Sequence, residues 1–320
     1  MRIFILKVVI FSIFNLILLF IYILLLDSGK FDQFYNKVIK PRSSSLIIGT
    51  SRGAVGIDPD ILSRELGVNM FNFAFALTTS DYGELYSNAI RKKVRPADPG
   101  GIFILEVNPQ NLSVPKNYQG NATMLPETNN LLGKLCSVTT NPNLEYLLNC
   151  YDKPLYYLLL RSYRPLYAHS GNSNFLKKLF GVDYTYTTAK GRIEIVAPPE
   201  DSNQLELNHK NYEKHLERLK PSLYRIHELS RLIHYLKEYG TVILVKTPVD
   251  SIVDLYEKNY WEMFHSTIDS ICHANGIDYL DYSSRHYSYL FYDGHHMMKD
   301  GGDKFSWDLA GDIKMIISKK

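Results

Sequence analysis

The apolar positions divide the chain into a short N-terminal segment and a long body. From Val8 to Leu26 the sequence has 19 residues without a charge, and about 20 apolar residues in a helix cross the hydrocarbon core of a bilayer. We therefore predict a transmembrane helix. The alternative is a cleaved signal peptide, which has an apolar core of about 7 to 15 residues and small residues at its cleavage site. The sequence Leu24–Asp27, LLLD, offers no such site.

The charges beside this span predict its orientation. Arg2 and Lys7 precede it, and because basic residues are retained on the cytoplasmic side, the body is expected on the exported side, periplasmic or extracellular. The other flank is also basic, which weakens the asymmetry: Lys30, Lys37, Lys40 and Arg42. We predict a single-pass membrane protein with residues 1–27 as cytoplasmic tail and transmembrane anchor.

A second apolar pattern follows the anchor. It predicts a short amphipathic helix that ends before Pro41. The apolar residues at helical spacing are Phe31, Phe34, Tyr35, Val38 and Ile39. Such a helix would lie near the membrane in a juxtamembrane linker, residues 28–45. An ordinary helix packed on the body fits the same pattern.

Residues 46–320 alternate between short apolar runs and helical periodicity. The runs bounded by turn residues predict strands at 46–49, 69–75, 102–107, 242–245 and 277–280. Helices are predicted at Tyr82–Ile90, with Asp81 and Glu84 as a capping pair, and at Leu223–Leu236, Leu255–Cys272 and Phe305–Ile316. Nearly continuous apolar strands are typical of parallel sheets buried on both faces. The alternation predicts a three-layer α/β/α domain around a parallel sheet.

One stretch interrupts this alternation. Residues 110–210 have many Asn, Pro, Ser and Tyr and no clear period, and we interpret them as an insertion in the α/β domain. Five tyrosines of this stretch form a cluster in the sequence: Tyr151, Tyr156, Tyr157, Tyr163 and Tyr167. Their flat amphipathic rings suit a sugar ligand, although packing within an irregular cap is the simpler explanation.

Composition narrows the function classes. With 320 residues and 45% hydrophobic content the chain can bury one large core, and its net charge is only +3. The sequence has no arginine-rich arm and no zinc-finger spacing, so nucleic acid is not an expected partner. Three scattered cysteines do not suggest a metal cluster. A bridge between Cys136 and Cys150 stays open for an oxidising compartment.

The candidate chemistry lies at the ends of predicted strands. The first strand runs into Gly49, Thr50 and Ser51, and near the C-terminus Asp293 and His296 are three residues apart. Ligands of open α/β sheets bind at the carboxyl ends of the strands. A serine becomes a nucleophile when a histidine takes its proton and a carboxylate orients that histidine. We predict that Ser51, His296 and Asp293 form a catalytic triad that uses no metal and no cofactor.

Negative charge on an attacked carbonyl oxygen needs fixed hydrogen-bond donors. Three donors are expected from the sequence: the Ser51 backbone N–H, an N–H from the loop after the second strand, and the side-chain amide of Asn108, which follows the third strand. Together they would form an oxyanion hole.

These residues carry a resemblance to the SGNH (GDSL-type) hydrolase superfamily of esterases and acyltransferases. Gly49-Thr50-Ser51 resembles the first block of that superfamily, Asn108 resembles its third-block asparagine, and Asp293-x-x-His296 resembles its last block. The resemblance implies an SGNH-like, flavodoxin-like α/β fold. It also implies that the Leu77 backbone N–H and Asn108 serve as oxyanion donors.

The sequence departs from the SGNH pattern at three positions. Leu77 stands where the family has an oxyanion-hole glycine, while Glu106 and Pro109 replace a Gly and an Asp beside the asparagine. These positions concern the oxyanion hole more than the triad.

Each site residue also has a simpler explanation. A serine after a strand is most often a turn or helix cap, and Asn108 before Pro109 is a common turn dipeptide. His295 could replace His296 as the base or join it in a metal pair, although no third ligand of suitable spacing is evident. Arg52 could contact an anionic substrate group or a carbonyl at the sheet edge.

The resemblance and the predicted anchor lead to one expected function. It is an exported, membrane-anchored serine esterase or O-acyltransferase that acts on acyl groups, acetyl first among them, of a cell-envelope or secreted glycan. A transferase would receive its acyl group from a membrane partner protein. One alternative is a non-catalytic SGNH-like glycan-binding or assembly protein with a degraded oxyanion hole. Another, a phosphate-transfer or nucleotide-binding protein, is disfavoured because Gly49–Gly56 lacks the P-loop lysine.

Overall fold

The computed structural model describes residues 1–27, 34–76, 79–96, 100–129, 131–149, 185–195 and 199–319. The helices in these ranges are α1 Arg2–Asp27, α2 Tyr35–Ile39, α3 Ser51–Gly56, α4 Pro59–Leu66, α5 Glu84–Lys93, α6 Leu131–Lys134, α7 Leu144–Asn149, α8 Ser202–Leu216, α9 Leu223–Lys237, α10 Ser251–Tyr260, α11 Phe264–Asn275 and α12 Lys299–Ser318. The strands are β1 Ser45–Ile48, β2 Met70–Asn72, β3 Gly101–Glu106, β4 Ser113–Pro115, β5 Thr185–Thr187, β6 Ile193–Ile195, β7 Leu219–Pro221, β8 Gly240–Lys246 and β9 Asp278–Asp281.

Five parallel strands form the central sheet, in the order β2-β1-β3-β8-β9. The strands β1 and β3 are buried along their whole length, which explains their continuous apolar sequences. Alternate residues of β1 enter different cores: Leu46 and Ile48 lie in one, and Ile47 lies in the other. The predicted mixed α/β body with a parallel sheet is confirmed.

Helices cover both faces of this sheet. On one face α9 and α11 supply core residues such as Leu232 and Ile268. On the other face α4 and α12 supply Leu62 and Leu309. Two antiparallel pairs, β4 with β7 and β5 with β6, lie outside the central sheet.

The N-terminal helix is apolar and exposed. Over Arg2–Ile21 it is long and apolar enough to cross a membrane, a property that signal sequences share. Residues 28–33 lie outside the described ranges. The next described segment packs on the body, because α2 buries Tyr35 and Val38, and the Phe34 ring lies 5.3 Å from the ring of Phe75. The chain after α1 is thus part of the body from Phe34 onwards.

The predicted capping pair Asp81 and Glu84 was wrong. The N-cap residue of α5 is Gly83, and it makes no side-chain cap hydrogen bond. Asp81 is instead buried and lies 3.9 Å from the Arg225 guanidinium. A carboxylate can cap a helix or pair with a buried cation. Here Asp81 lies beside the Arg225 guanidinium and does not cap α5.

The single helix predicted over Leu255–Cys272 was also wrong, since α10 ends at Tyr260 and α11 begins at Phe264. Trp261 leaves the helical conformation, and its ring packs edge-on against Phe264 at a centroid distance of 5.4 Å. The chain turns so that both rings reach the core.

The structure describes only part of residues 110–210, which we interpreted from the sequence as an insertion. Its described parts contain regular elements: β4, α6, α7, β5, β6 and most of α8. The tyrosine cluster Tyr151–Tyr167 and Cys150 lie outside the described residues.

Candidate active site

Ser51 lies where β1 turns into α3. Between them Gly49 has a φ of +146°, and Ser51 is the first residue of α3. A Cβ placed on Gly49 would lie 2.6 Å from the Cβ of Glu106 on the neighbouring strand. Both the backbone conformation and the lack of space therefore require glycine. This turn presents Ser51 at the carboxyl end of β1.

The position of β1 in the sheet favours a crevice at this end. Strand β2 lies on one side of β1 and β3 on the other, so the order reverses between β1 and β3. Ligands of open parallel sheets bind where the strand order reverses. Ser51 follows β1 and Asn108 follows β3, so both lie at this point.

The structure brings together the three residues of the predicted triad. Ser51 Oγ lies 2.7 Å from His296 Nε2, although the two residues are 245 positions apart in the chain. His296 Nδ1 lies 2.7 Å from Asp293 Oδ2. When Nδ1 donates its proton to Asp293, Nε2 is left to accept the proton of Ser51. This is the tautomer that general-base activation of a serine needs.

Asp293 also shapes the loop that carries His296. Its Oδ1 accepts hydrogen bonds from the backbone N–H groups of His295 and His296, at 3.2 and 2.8 Å. Burial would raise the pKa of Asp293, but electrostatic attraction to His296 and the hydrogen bonds from it outweigh burial and hold that pKa well below its usual range. Asp293 is therefore ionised at neutral pH and fixes the His296 ring.

His295 packs against the base. Its ring centroid lies 4.1 Å from that of His296 and 5.4 Å from that of Tyr212. Burial lowers the pKa of His295 to about 3, so this ring is neutral at neutral pH. The ring that faces Ser51 belongs to His296, and His295 supports it from the side.

Arg52 belongs to a buried network. It is 2% exposed, pairs with Glu257 at 2.7 Å and donates to the Tyr212 hydroxyl at 2.6 Å. Burial of Glu257 opposes ionisation, but Arg52 and Lys246 lower its pKa to about 2. The protein partners of Arg52 are therefore Glu257 and Tyr212 rather than the sheet-edge carbonyl considered from the sequence. Arg52 instead ties the start of α3 to α8 and α10.

Asn108 is buried and its side chain is engaged on both ends. The amide nitrogen donates to Glu106 Oε1 at 2.6 Å and to Thr50 Oγ1 at 3.2 Å. The amide oxygen accepts from the backbone of Gln110 and Asn111, at 2.9 and 3.0 Å. The structure thus places Asn108 beside the residue that precedes Ser51, but both amide hydrogens are committed to these two acceptors.

Glu106 is the acceptor that sequence reasoning missed. Its Oε2 accepts from the backbone N–H and the hydroxyl of Thr50, at 2.8 and 2.9 Å. Burial raises the pKa of Glu106, and Arg52 and these hydrogen bonds oppose the rise. The sequence signal was the departure from the SGNH pattern at this position. Glu106 joins the serine turn to Asn108.

The loop after β2 is fixed beside the serine turn. Phe75 N–H donates to Gly49 O at 3.1 Å, and the Tyr86 hydroxyl accepts from Gly49 N–H at 3.0 Å. Leu77, predicted as an oxyanion donor, lies outside the described residues. The described part of this loop reaches Ala76.

Asp293, His295 and His296 could also offer ligands to a metal ion, since one ligand atom from each lies within 4.8 Å of the others. In the present arrangement His296 contacts Asp293 through Nδ1 and Ser51 through Nε2. A cation bound by His296 would displace one of these hydrogen bonds. The geometry therefore fits a triad better than a metal centre.

Comparison with known proteins adds no family to this geometry: no protein-family model matches the chain, and no curated protein matches it.

Proposed function

We propose that the protein is a serine esterase or O-acyltransferase of the SGNH type. The observation that carries this proposal is the hydrogen-bonded series from Ser51 through His296 to Asp293 at the carboxyl end of β1. The five-stranded parallel order with helices on both faces supports an SGNH-like three-layer fold, because it is the strand order of flavodoxin-like doubly wound sheets. Such sheets bind ligands at the point where the strand order reverses.

In the proposed reaction His296 Nε2 takes the proton of Ser51 as Oγ attacks the acyl carbonyl carbon. The tetrahedral intermediate collapses when the bond to the leaving alcohol oxygen breaks, and His296 gives its proton to that oxygen. The acyl group is then an ester of Ser51. Water or a sugar hydroxyl attacks this ester, again losing its proton to His296, and Ser51 Oγ leaves with that proton. Hydrolysis and transfer differ only in this acceptor.

The developing oxyanion needs donors in this scheme. Ser51 is the first residue of α3, where backbone N–H groups have no acceptor within the helix. Its N–H and that of Leu77 are the proposed donors. Each such donor contributes about 10²-fold or more to turnover.

The substrate class and location follow from the resemblance and from α1. The proposed substrates are acyl esters, acetyl first, on a cell-envelope or secreted glycan. With α1 as an anchor and its N-terminus in the cytoplasm, the body would work on the exported side, and a membrane partner protein would supply acyl groups for transfer.

The direct test is hydrolysis of p-nitrophenyl acetate by the full-length protein in detergent. We expect Ser51→Ala to lower the rate to background. Ser270→Ala is the control, because Ser270 is exposed on α11 and its hydroxyl donates to the Ser266 carbonyl within that helix. Equal rates for the wild type and Ser51→Ala would contradict the proposal.

A second candidate function is a non-catalytic SGNH-like protein that binds glycans or assists their assembly. The engagement of Asn108 by Glu106 favours it, since an occupied amide does not stabilise an oxyanion. A fluorophosphonate probe separates the two functions. Labelling at Ser51 supports the enzyme, whereas a folded protein that resists the probe and leaves the ester intact supports the binding protein.

A further inference from the structure

A second histidine–aspartate pair lies behind the loop that carries the triad. His209 on α8 and Asp250 at the start of α10 are 41 positions apart in the chain, yet His209 Nε2 lies 2.6 Å from Asp250 Oδ2. The His209 side chain is almost fully buried. The triad described above uses neither residue.

This pair touches the turn of the triad loop. The Asp250 N–H donates to Gly294 O at 2.8 Å, and Gly294 separates Asp293 from His295. Gly294 has a φ of +91°. A Cβ placed on it would lie 2.5 Å from Asp250 Oδ2 and 2.7 Å from His209 Nε2. The loop therefore turns directly against the pair, with no room for a side chain.

The region around α8 holds the loop at two further points. Before the helix, the Glu200 N–H donates to Tyr292 O at 3.2 Å. One turn after His209, the Tyr212 ring packs on His295. Residues three apart lie on one face of a helix, so His209 and Tyr212 face the loop together.

From this geometry we propose that His209 and Asp250 are positioning residues for Asp293 and His296. The pair fixes the Gly294 backbone, and the fixed turn keeps His296 Nε2 directed at Ser51. This inference rests on the proposed esterase or acyltransferase function. It also assigns a role to α8, the helix in which the predicted insertion ends. Displacement of a catalytic group by about 1 Å can cost about 10²-fold in rate.

The two carboxylate oxygens of Asp250 have different partners, so its two contacts can be tested separately. Oδ1 caps α10 by accepting from Ile252 and Val253 N–H, at 3.1 and 2.8 Å, whereas Oδ2 binds His209. Serine is also a good N-cap, so Asp250→Ser retains the cap and removes the partner of His209. Asp201→Ser is the matched control, since Asp201 caps α8 through the N–H of Gln204.

We expect Asp250→Ser and His209→Ala to lower kcat for p-nitrophenyl acetate by about 10- to 100-fold with little change in KM. Asp201→Ser is expected to stay within about twofold, because the cap is retained. His209→Gln should recover most of the activity, because the glutamine amide can donate from near the position of Nε2. If the pair only stabilised the fold, His209→Gln could regain kcat only by regaining Tm. A higher kcat in His209→Gln than in His209→Ala at the same Tm therefore indicates a positioning role.

A second readout does not depend on turnover. In full-length protein labelled with ¹⁵N-histidine in micelles, the proton that His296 Nδ1 shares with Asp293 gives a downfield ¹H resonance, assigned by its loss in Asp293→Asn. We expect this resonance to shift or broaden in Asp250→Ser and His209→Ala and to persist in Asp201→Ser. An unchanged resonance with unchanged kcat in both variants overturns the positioning role. If the wild type hydrolyses no ester, the resonance alone decides the positioning role, and the proposed function fails separately.

Discussion

Two histidine–aspartate pairs of nearly equal length lie side by side in this protein, and they differ in the ring nitrogen that meets the carboxylate. His296 contacts Asp293 through Nδ1 at 2.7 Å, whereas His209 contacts Asp250 through Nε2 at 2.6 Å. The first arrangement leaves Nε2 for Ser51. A histidine–aspartate pair alone therefore does not indicate a general base, because the second ring nitrogen must also face the group that loses its proton.

Burial separates the two pairs as well. The His296 side chain is 19% exposed and that of His209 is 6% exposed. A base must be reachable by substrate, while a supporting pair gains from exclusion of water, because electrostatic attraction is stronger there. Gly294 touches the second pair and belongs to the loop of the first. The two pairs are therefore neighbours in different environments, and the variants below test whether they also have different roles.

The largest expected effect is that of His296→Gln. Glutamine keeps a similar size but accepts no proton from Ser51, so we expect kcat for p-nitrophenyl acetate to fall on the order of 10⁵-fold. The parallel change His209→Gln should cost less than about tenfold, since the hydrogen bond to Asp250 can be kept. Comparable losses for the two variants would erase the distinction between the pairs.

Asp293→Asn is expected to come next, at about 10⁴-fold in kcat, because the amide no longer stabilises the protonated imidazole or its working tautomer. Asp250→Asn serves as its counterpart and should cost less than about 10²-fold. Steady-state rates across pH 6 to 9 check both values. An Asp293→Asn enzyme within tenfold of the wild type would remove Asp293 from the triad.

Gly294→Ala should disturb both pairs at once. The added Cβ meets Asp250 and His209, and φ of +91° is unfavourable for alanine. We expect the free energy of unfolding to fall by about 2 kcal/mol and kcat to fall by about 10²-fold, measured by denaturant unfolding and ester hydrolysis. Gly311→Ala on α12 is the control, because a Cβ there meets no atom within 4 Å. Equal behaviour of the two variants would show that the contact at Gly294 is unimportant.

The smallest expected effect concerns His295, which belongs to neither pair. Burial lowers its pKa to about 3, so between pH 6.5 and 3 the unfolded state binds a proton that the folded state does not. Stability from this residue is therefore complete above pH 6.5 and declines as the pH falls. Urea unfolding at pH 7 and at pH 4.5 should show a smaller decline for His295→Gln than for the wild type. A larger decline in the variant would contradict a ring that stays neutral in the folded protein.

Much of the frame could be predicted from the sequence because its signals are local. Continuous apolar runs marked the positions of β1, β3, β8 and β9. Asp293 and His296 were linked because a carboxylate three residues before a histidine can reach it within one turn, as it does here. Ser51 was linked to them by its place after a buried strand.

The contacts that support the site could not be predicted in this way. His209 meets Asp250 across 41 positions, and Arg52 meets Glu257 across a longer separation; no spacing rule connects such residues, since tertiary packing brings them together. Asp250 has two roles, of which one is to cap α10. The other role depends on α8, where the sequence showed no clear period.

The contact between Glu106 and Asn108 depends on a residue that a single mutation can replace. One nucleotide converts a glutamate codon into a glycine codon, and glycine is the residue of the SGNH pattern at this position. That change would remove the carboxylate that accepts from the Asn108 amide and from Thr50. A single mutational step thus frees one of the two amide hydrogens of Asn108, while Thr50 Oγ1 can still accept the other. A Glu106→Gly variant labelled by a fluorophosphonate no faster than the wild type would show that this step is silent.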